Sequence, residues 1–411
     1  MHVIKHQVKG FTTLIAKTQH ELATVRCIAG AGSMMEDHAE EYGAAHFLEH
    51  MFFKGTEKRD YEDLNLILGR LGQPNAYTSR VKTVYRLNCR ATDIREAADM
   101  LAEMVFFSSF PEDELEKEKG TIVEEWNSSQ DSANSYYYEH AAPSWAGDAL
   151  HPILGTKESI EGMTRERLMN YRNKNYNKSS LVFAIVGNVD VDECKGILDE
   201  VLGNIDFPEG DIPDNLPTKV NLDPLCFAHK TDQALVGLWF PWFGIERSIE
   251  QHYGDWVFED CLGGGMHSLM FDRIREKKGL AYSTGCFPYL LNKAEAMILY
   301  AYTSPEKVKE CVGEMQSILE DVAKDGFNDG LIYTAKSHTL FDIASGREKV
   351  NSLAYSTIDG WFKAKDVYGT EYPNIDTYVR EFDKVDSGLM KNLANEMLES
   401  GFKPIIMNSE I

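Results

Sequence analysis

What this chain lacks narrows its function before any motif is read. No run approaches the roughly 18 uninterrupted apolar residues that a membrane helix needs, so no membrane span is expected. Cysteine is sparse, with 7 in 411 residues and no CxxC pair. That number and scatter argue against a disulfide framework or a thiolate zinc site, and fit buried free thiols in a reducing compartment. Basic residues are outnumbered: 42 Lys and Arg face 65 Asp and Glu, a formal charge of −23. Such a balance disfavours nonspecific nucleic-acid binding. The opening stretch, MHVIKHQVKGFTTLIAK, has neither the apolar core and cleavage site of a secretory signal nor the Arg and Ser of a transit peptide. A cytoplasmic location is the resulting expectation.

What is present describes a folded protein with more than one core. Hydrophobic residues make up 43% and charged residues 26%, a globular balance at a length that favours two or more domains. The stretch GNIDFPEGDIPDNLPTKVNLDP at 203–224 breaks periodicity with four prolines. It suggests an N-terminal domain at 1–203, a linker at 204–224 and a C-terminal domain at 225–411. A faint repeat relates the two. YGAAHFLEH from Tyr42 aligns with YGDWVFEDC from Tyr253, NAYTS from Asn75 with LAYST from Leu280, and FPEDEL from Phe110 with FNDGL from Phe327. Both halves alternate strand-like and helix-like segments: strands near 180–190, 225–242, 281–291 and 296–302, a strand or hairpin at 75–91, and helices near 41–53, 60–71, 93–108, 111–130, 249–262, 305–324 and 328–344. The expected class is α+β, with two homologous α/β-sandwich-like domains, each a mixed sheet with helices packed on one face.

The chemistry concentrates in HFLEH, set within GAAHFLEHMFFKGT. Residues four apart share a helix face, so His46 and His50 project together and could close on one metal ion. Glu49 sits beside them, displaced around the helix, which suits a general base better than a ligand. Two core histidines bonded to backbone are the competing reading, and a third ligand decides. The stretch ELEKEKGTIVEEWNSS offers Glu118 and Glu125, seven residues apart on one face of a predicted helix. One could bind a metal while the other orients a histidine. Equally, Glu114, Glu116, Glu118, Glu124 and Glu125 could form a solvated acidic face, and spacing does not separate the two. The run GGGMHS fits neither nucleotide-loop pattern and reads as a tight turn.

Taken together, GAAHFLEHMFFKGT, NAYTSRVKTVY and EKEKGTIVEE resemble the pitrilysin-type zinc peptidases, the inverzincins with H-x-x-E-H. The resemblance is strongest to the short branch of roughly 400 residues that includes the mitochondrial processing peptidase and its bacterial relatives. It implies zinc ligands His46, His50 and Glu125, with Glu49 as general base on a water held by the zinc and Glu118 supporting from behind. Glu125 is preferred over Glu124 because it keeps the seven-residue step from Glu118. CLGGGMHSLMFDRIREKKGLAYST at 261–284 resembles the family's glycine-rich segment, which implies that Arg275 and Tyr282 hold the substrate backbone and stabilise the oxyanion. The implied activity is a zinc endopeptidase acting on peptides or short unfolded segments inside a closed chamber, of which this chain would be one half of a clamshell. Substrate would add as an extended strand to a sheet edge at NAYTS, with Asn75 and Ala76 in contact. A homodimer is implied, with a heterodimer with an inactive partner as the other possibility. The alternative function is a non-catalytic assembly or peptide-binding subunit of the same fold.

Aligning the halves sets Val257 opposite His46, Asp260 opposite Glu49, Cys261 opposite His50, and Phe341 near Glu125. The second half lacks these ligands, so one Zn2+ per chain is expected. The stretch HAAPSWAGDALHPILGTKESI is shorter than its family counterpart, and its His140 and His151 read as structural.

Overall fold

The computed structural model describes residues 3–211, 219–242, 249–289, 295–359, 380 and 382–409. Residues 212–218 of the expected linker and the end of the strand expected at 281–291 lie outside the described residues. The chain divides into two compact units, Met1–Asp131 with Ala149–Asn215 and Arg347–Phe362, and Ser132–Asp148 with Leu216–Gly346 and Lys363–Ile411.

The first unit is built on a six-stranded mixed sheet. Its strands are β1 (Val3–Val8), β2 (Phe11–Lys17), β3 (Leu22–Ala29), β4 (Gly72–Thr78), β5 (Thr83–Arg90) and β6 (Leu181–Gly187), in spatial order β1-β2-β6-β3-β5-β4. Only β2 and β6 run parallel. β6, LVFAIVG, is buried along its whole length, as a central strand covered on both faces must be. β4 takes the outer edge, paired with β5 alone, with Asn75 opposite Arg86 and Ala76 opposite Tyr85. The helices are α1 (Ala44–Met51), α2 (Tyr61–Leu71), α3 (Ile94–Phe107), α4 (Glu112–Asp131), α6 (Lys157–Glu161), α7 (Arg165–Asn175) and α8 (Val191–Gly203), α5 (Ala133–Ala146) belonging to the other unit. Asp60 and Asp190 begin α2 and α8 by accepting from backbone N–H groups of the first turn.

The second unit repeats this order in shorter form. Its helices include α5 (Ala133–Ala146), α9 (Ile249–Gly263), α10 (Val308–Asp325), α11 (Asp329–Arg347) and a final helix at Ser387–Ser400. Its sheet contains β7 (Leu225–Ala228), β8 (Ala234–Pro241), β9 (Ala281–Tyr289), β10 (Ala296–Thr303) and β11 (Lys403–Asn408), ordered β7-β11-β8-β10-β9. β7 and β11 are the parallel pair, as β2 and β6 are in the first sheet, and β9 is an edge like β4. The two topologies therefore superpose strand for strand with β1 as the extra, which makes the faint sequence repeat a structural duplication.

Each sheet gains a cover on its other face from a distant part of the sequence. Val350, Ala354 and Ile358, from α12 (Val350–Ala354) and the turn after it, pack on Leu14, Ile28, Val84 and Ala184. The buried guanidinium of Arg26 donates to the Asn351 carbonyl at 2.9 Å. On β8, Leu238 and Phe240 face the helical core while Trp239 turns to the opposite side. There Trp239 meets Trp145 at 5.8 Å between ring centroids and donates to Tyr137 Oη at 3.2 Å, both partners coming from α5. Two-sided burial explains why β6 and β8 read as unbroken hydrophobic runs rather than alternating ones.

A buried carboxylate in the second unit sets a pH dependence. Glu314 on α10 accepts from Arg273 Nε at 2.7 Å and from Lys278. Burial alone would raise its pKa, but the Lys278 and Arg273 hydrogen bonds outweigh it and hold the carboxyl below its ordinary range. A depressed folded pKa gives stability that is present above the unfolded value and lost as pH falls through the folded one. Glu314→Gln is therefore expected to lower stability by roughly 1–2 kcal/mol at pH 7, allowing for the exposure of its partners. The gap to wild type in thermal melts should close as pH drops below the ordinary Glu range; a constant gap would refute the ion-pair account.

Candidate metal centre

α1 is a short helix whose start is fixed by contacts unusual for its length. Gly43 adopts φ 90°, and a Cβ there would lie 2.4 Å from the Leu154 carbonyl oxygen. Gly155, at φ 81°, would press a Cβ to 2.3 Å from the Tyr42 carbonyl. The ILGT segment thus lies directly against the start of α1, and two glycines permit the approach. Glu36, fully buried, caps the helix: Oε2 accepts from Gly43 N and Oε1 from Ala45 N, each at 2.8 Å. His151 Nε2 closes on Glu36 Oε2 at 2.6 Å, and its ring stacks on Tyr42 with centroids 3.6 Å apart. His151 is structural, as expected, and its task is to hold the start of α1. His140 stacks on Tyr136 at 4.0 Å and bonds the Tyr136 carbonyl within α5.

One turn along α1, His46 and His50 project together, their ring centroids 4.6 Å apart. α4 brings Glu125 to them: Oε2 stands 3.7 Å from His46 Nε2 and 3.7 Å from His50 Nε2. These distances are too long for hydrogen bonds. They are close to the separation of about 3.4 Å between neighbouring ligand atoms of a tetrahedral zinc with bonds of about 2.0–2.1 Å. Two imidazoles and a carboxylate around a gap of that size fit a zinc ion in size and in donor chemistry. Burial and then the charge of His50 lower the His46 pKa to about 3, so this ring is neutral and offers a lone pair.

The second ring is oriented from behind. His50 Nδ1–H donates to Glu118 Oε1 at 2.8 Å, which aims Nε2 at Glu125. Burial would lower the His50 pKa, but the Glu118 hydrogen bond and the surrounding carboxylates raise it, so a metal ion would have to displace the Nε2 proton. Glu118 Oε2 receives Lys54 Nζ at 2.5 Å. Burial would raise the Glu118 pKa, but His50 and Lys54 outweigh it and keep the group ionised. Glu49, 9% exposed, accepts from Thr78 Oγ1 on β4 at 2.6 Å. Its pKa is raised chiefly by burial, with the Glu125 carboxylate adding and Thr78 and His50 opposing. The result is a carboxylate readier to take a proton than one in water.

Of the residues expected from the sequence, His46, Glu49, His50, Glu118 and Glu125 come together here; Glu124 and Glu125 are both exposed, and Glu125 is the one grouped with the two rings. Asn75 and Ala76 lie on the edge strand three and two positions before Thr78, which contacts Glu49. Arg275 and Tyr282 belong to the second unit, on a π-helical turn (Phe271–Lys277) and on β9. The Arg275 guanidinium stands 4.6 Å from the Tyr282 ring centroid and 4.7 Å from that of Phe271, and Tyr282 is 73% exposed. Glu36, Lys54 and Thr78 were not singled out from sequence. None of the three carried a local signal: Lys54 lies beyond the end of α1 at Met51, so helical spacing does not link it to His50.

Comparison with known proteins places this arrangement in a family. Residues 12–147 match the family model described as Insulinase (Peptidase family M16), and residues 162–338 match that described as Peptidase M16 inactive domain. A protein of Streptomyces coelicolor named as an uncharacterized zinc protease is 31% identical over 76% of this chain and 70% of its own. Another so named, from Mycobacterium leprae, is 28% identical over 94% of this chain and 86% of its own. The crystal structure of a protease from Helicobacter pylori shares the fold with a TM-score of 0.86 at 18% identity, covering 99% of each chain. Relatives called zinc proteases and two adjacent family matches agree with a helix that carries H-x-x-E-H, and the chain belongs to peptidase family M16.

Proposed function

We propose that this chain is a zinc-dependent endopeptidase that hydrolyses peptides or short unfolded protein segments. The observation that carries the proposal is the pair of 3.7 Å separations between Glu125 Oε2 and the two ring nitrogens, with Glu49 on the adjoining face. His46, His50 and Glu125 would hold one zinc ion, which when bound supplies Lewis acidity that polarises a scissile carbonyl and acidifies water. Glu49 takes the proton of the attacking water at its carboxylate and passes it to the leaving amine. Thr78 fixes the Glu49 carboxylate, and Glu118 fixes the His50 ring. The peptide lies extended along the free edge of β4, where main-chain pairing at Asn75 and Ala76 holds it without demanding a sequence.

Arg275 and Tyr282 are proposed to grip substrate backbone and the developing oxyanion. The exposed Tyr282 ring packed on its guanidinium neighbour supports this as a solvent-facing cationic pair. A homodimer is proposed as the working state. In its support, this chain spans 48% of the structurally similar PqqL protease chain from Escherichia coli, which is long enough to carry the fold twice. A reducing, cytoplasmic setting is proposed on the absence of any disulfide among the described residues, with six of seven thiols buried. No described helix is long and apolar enough to cross a membrane.

Removal of metal by a chelator, followed by dialysis, tests the proposal. Cleavage of a peptide library should fall to the level of the enzyme-free control and return on addition of zinc. Turnover that persists in protein shown by elemental analysis to be metal-free would refute it. A non-catalytic assembly or peptide-binding subunit would instead lose melting temperature on chelation and have no turnover to lose.

A further inference from the structure

The second unit contains another convergence of ligand-type side chains that the proposed hydrolysis does not use. Asp260 lies on α9, His267 in the glycine-rich turn after it, and His338 on α11. His267 Nε2 is 2.8 Å from Asp260 Oδ2, and His338 Nδ1 is 2.8 Å from Asp260 Oδ1. One ligand atom from each residue lies within 4.8 Å of the others, and the two rings are 5.2 Å apart at their centroids. Asp260 is 8% exposed, while the side chains of His267 and His338 are 24% and 39% accessible. Asp342, one turn along α11, places Oδ2 3.8 Å from His338 Nδ1 and supplies a further oxygen at the exposed rim.

The backbone is shaped to close on this carboxylate. A Cβ on Gly264 would lie 2.2 Å from Asp260 Oδ1, and one on Gly263 would lie 2.2 Å from Cys286 N. Ser268 ties the turn back to the Gly265 carbonyl through its N–H at 3.0 Å and its hydroxyl at 2.7 Å. The run GGGMHS thus has a local purpose: it folds His267 over Asp260 with no side chain in between. In the duplicated order of elements, α9 takes the place of α1 and α11 that of α4, the two helices that carry the first site's ligands. Position-by-position alignment of the halves found no second ligand set because the donors moved. One aligns with Glu49, one lies in the turn beyond the helix, and one is on α11 three residues before Phe341.

We infer that Asp260, His267 and His338 form a second divalent-cation site. Two imidazoles and one carboxylate select a borderline ion of the zinc class over magnesium or calcium, which prefer oxygen ligands. Without metal, ring protons hold the three groups together as hydrogen bonds. Metal binding needs each ring to carry its proton on the other nitrogen. The 2.8 Å contacts must also open to about 3.4 Å, a shift within side-chain rotation. A bound ion would tie α9, the glycine turn and α11 together, and the half-exposed rings give it a path from solvent. This raises the expected count from one metal per chain to two.

Cobalt titration of metal-free, full-length protein tests the site separately from the proposed peptidase centre. The double variant His46→Ala/His50→Ala removes the first site. It should still bind one equivalent of Co2+ with visible d–d absorption, against two for wild type. Adding Asp260→Asn should abolish that remaining equivalent. Should that protein fail to fold by circular dichroism, His338→Gln in the same background keeps a side-chain N–H for Asp260 while removing the imidazole, and should also bind none. If His46→Ala/His50→Ala binds no cobalt, or if its equivalent survives both added changes, the site does not exist.

Discussion

Glu49→Gln is expected to lower kcat for peptide hydrolysis by about 10²–10⁴-fold, the usual contribution of a positioned acid–base group. At 1.36 kcal/mol per decade this is roughly 3–5 kcal/mol of transition-state stabilisation. The substitution is near-isosteric, and its amide oxygen can still accept from Thr78 Oγ1, which lies 2.6 Å from the carboxylate in the native chain. What disappears is the capacity to take a proton. Zinc content by elemental analysis should equal wild type, because His46, His50 and Glu125 are untouched. A Glu49→Gln protein that retains its metal and cleaves at the wild-type rate would overturn the assignment of the base. Equal loss of metal and activity would move Glu49 from proton carrier to ligand.

Glu118→Ala should weaken zinc binding about 10–100-fold, although Glu118 is not proposed to touch the ion. The reason lies in the 2.8 Å bond from His50 Nδ1–H, which sets the tautomer and aims Nε2 at Glu125. Without it the ring can rotate and protonate on the wrong nitrogen, and Lys54 is left beside the site without the Glu118 charge that holds it. Competition against a chromophoric chelator measures the change directly. Glu118→Gln, which keeps an acceptor for Nδ1–H, should recover part of the affinity. If Glu118→Ala binds zinc as tightly as wild type, the carboxylate serves only the packing of α4.

Local pattern made much of this protein legible. The four-residue step from His46 to His50 and the seven-residue step from Glu118 to Glu125 are helical geometry, and helices form at both places. The segment expected at 75–91 as a strand or hairpin is a hairpin of β4 and β5, with the turn between Thr78 and Thr83. Other features were out of reach because no local spacing encodes them. Glu36 lies seven residues before the glycine whose N–H it accepts, with a 3-10 turn between them. Arg26 finds its acceptor 325 residues away. α5 packs with the second unit and the segment from Arg347 with the first, so no single cut in the sequence separates the two bodies. Such partners are chosen by which apolar face is left to cover, a property of the finished sheet.

By itself the sequence determined which side chains carry chemistry and which of them share a helix face, because those relations depend only on the rise and turn of one helix. Tertiary structure decided which carboxylate of an acidic helix meets the imidazoles. Glu124 and Glu125 are both exposed. The one whose carboxylate stands 3.7 Å from both rings is Glu125, since adjacent positions on a helix point about 100° apart and the packing of α4 against α1 sets which of them meets the gap. It also decided that Asp260, His267 and His338, spread over 78 residues between the first and the last, stand together. Chain connectivity allows many such meetings. Burial of the two sheets selects this one.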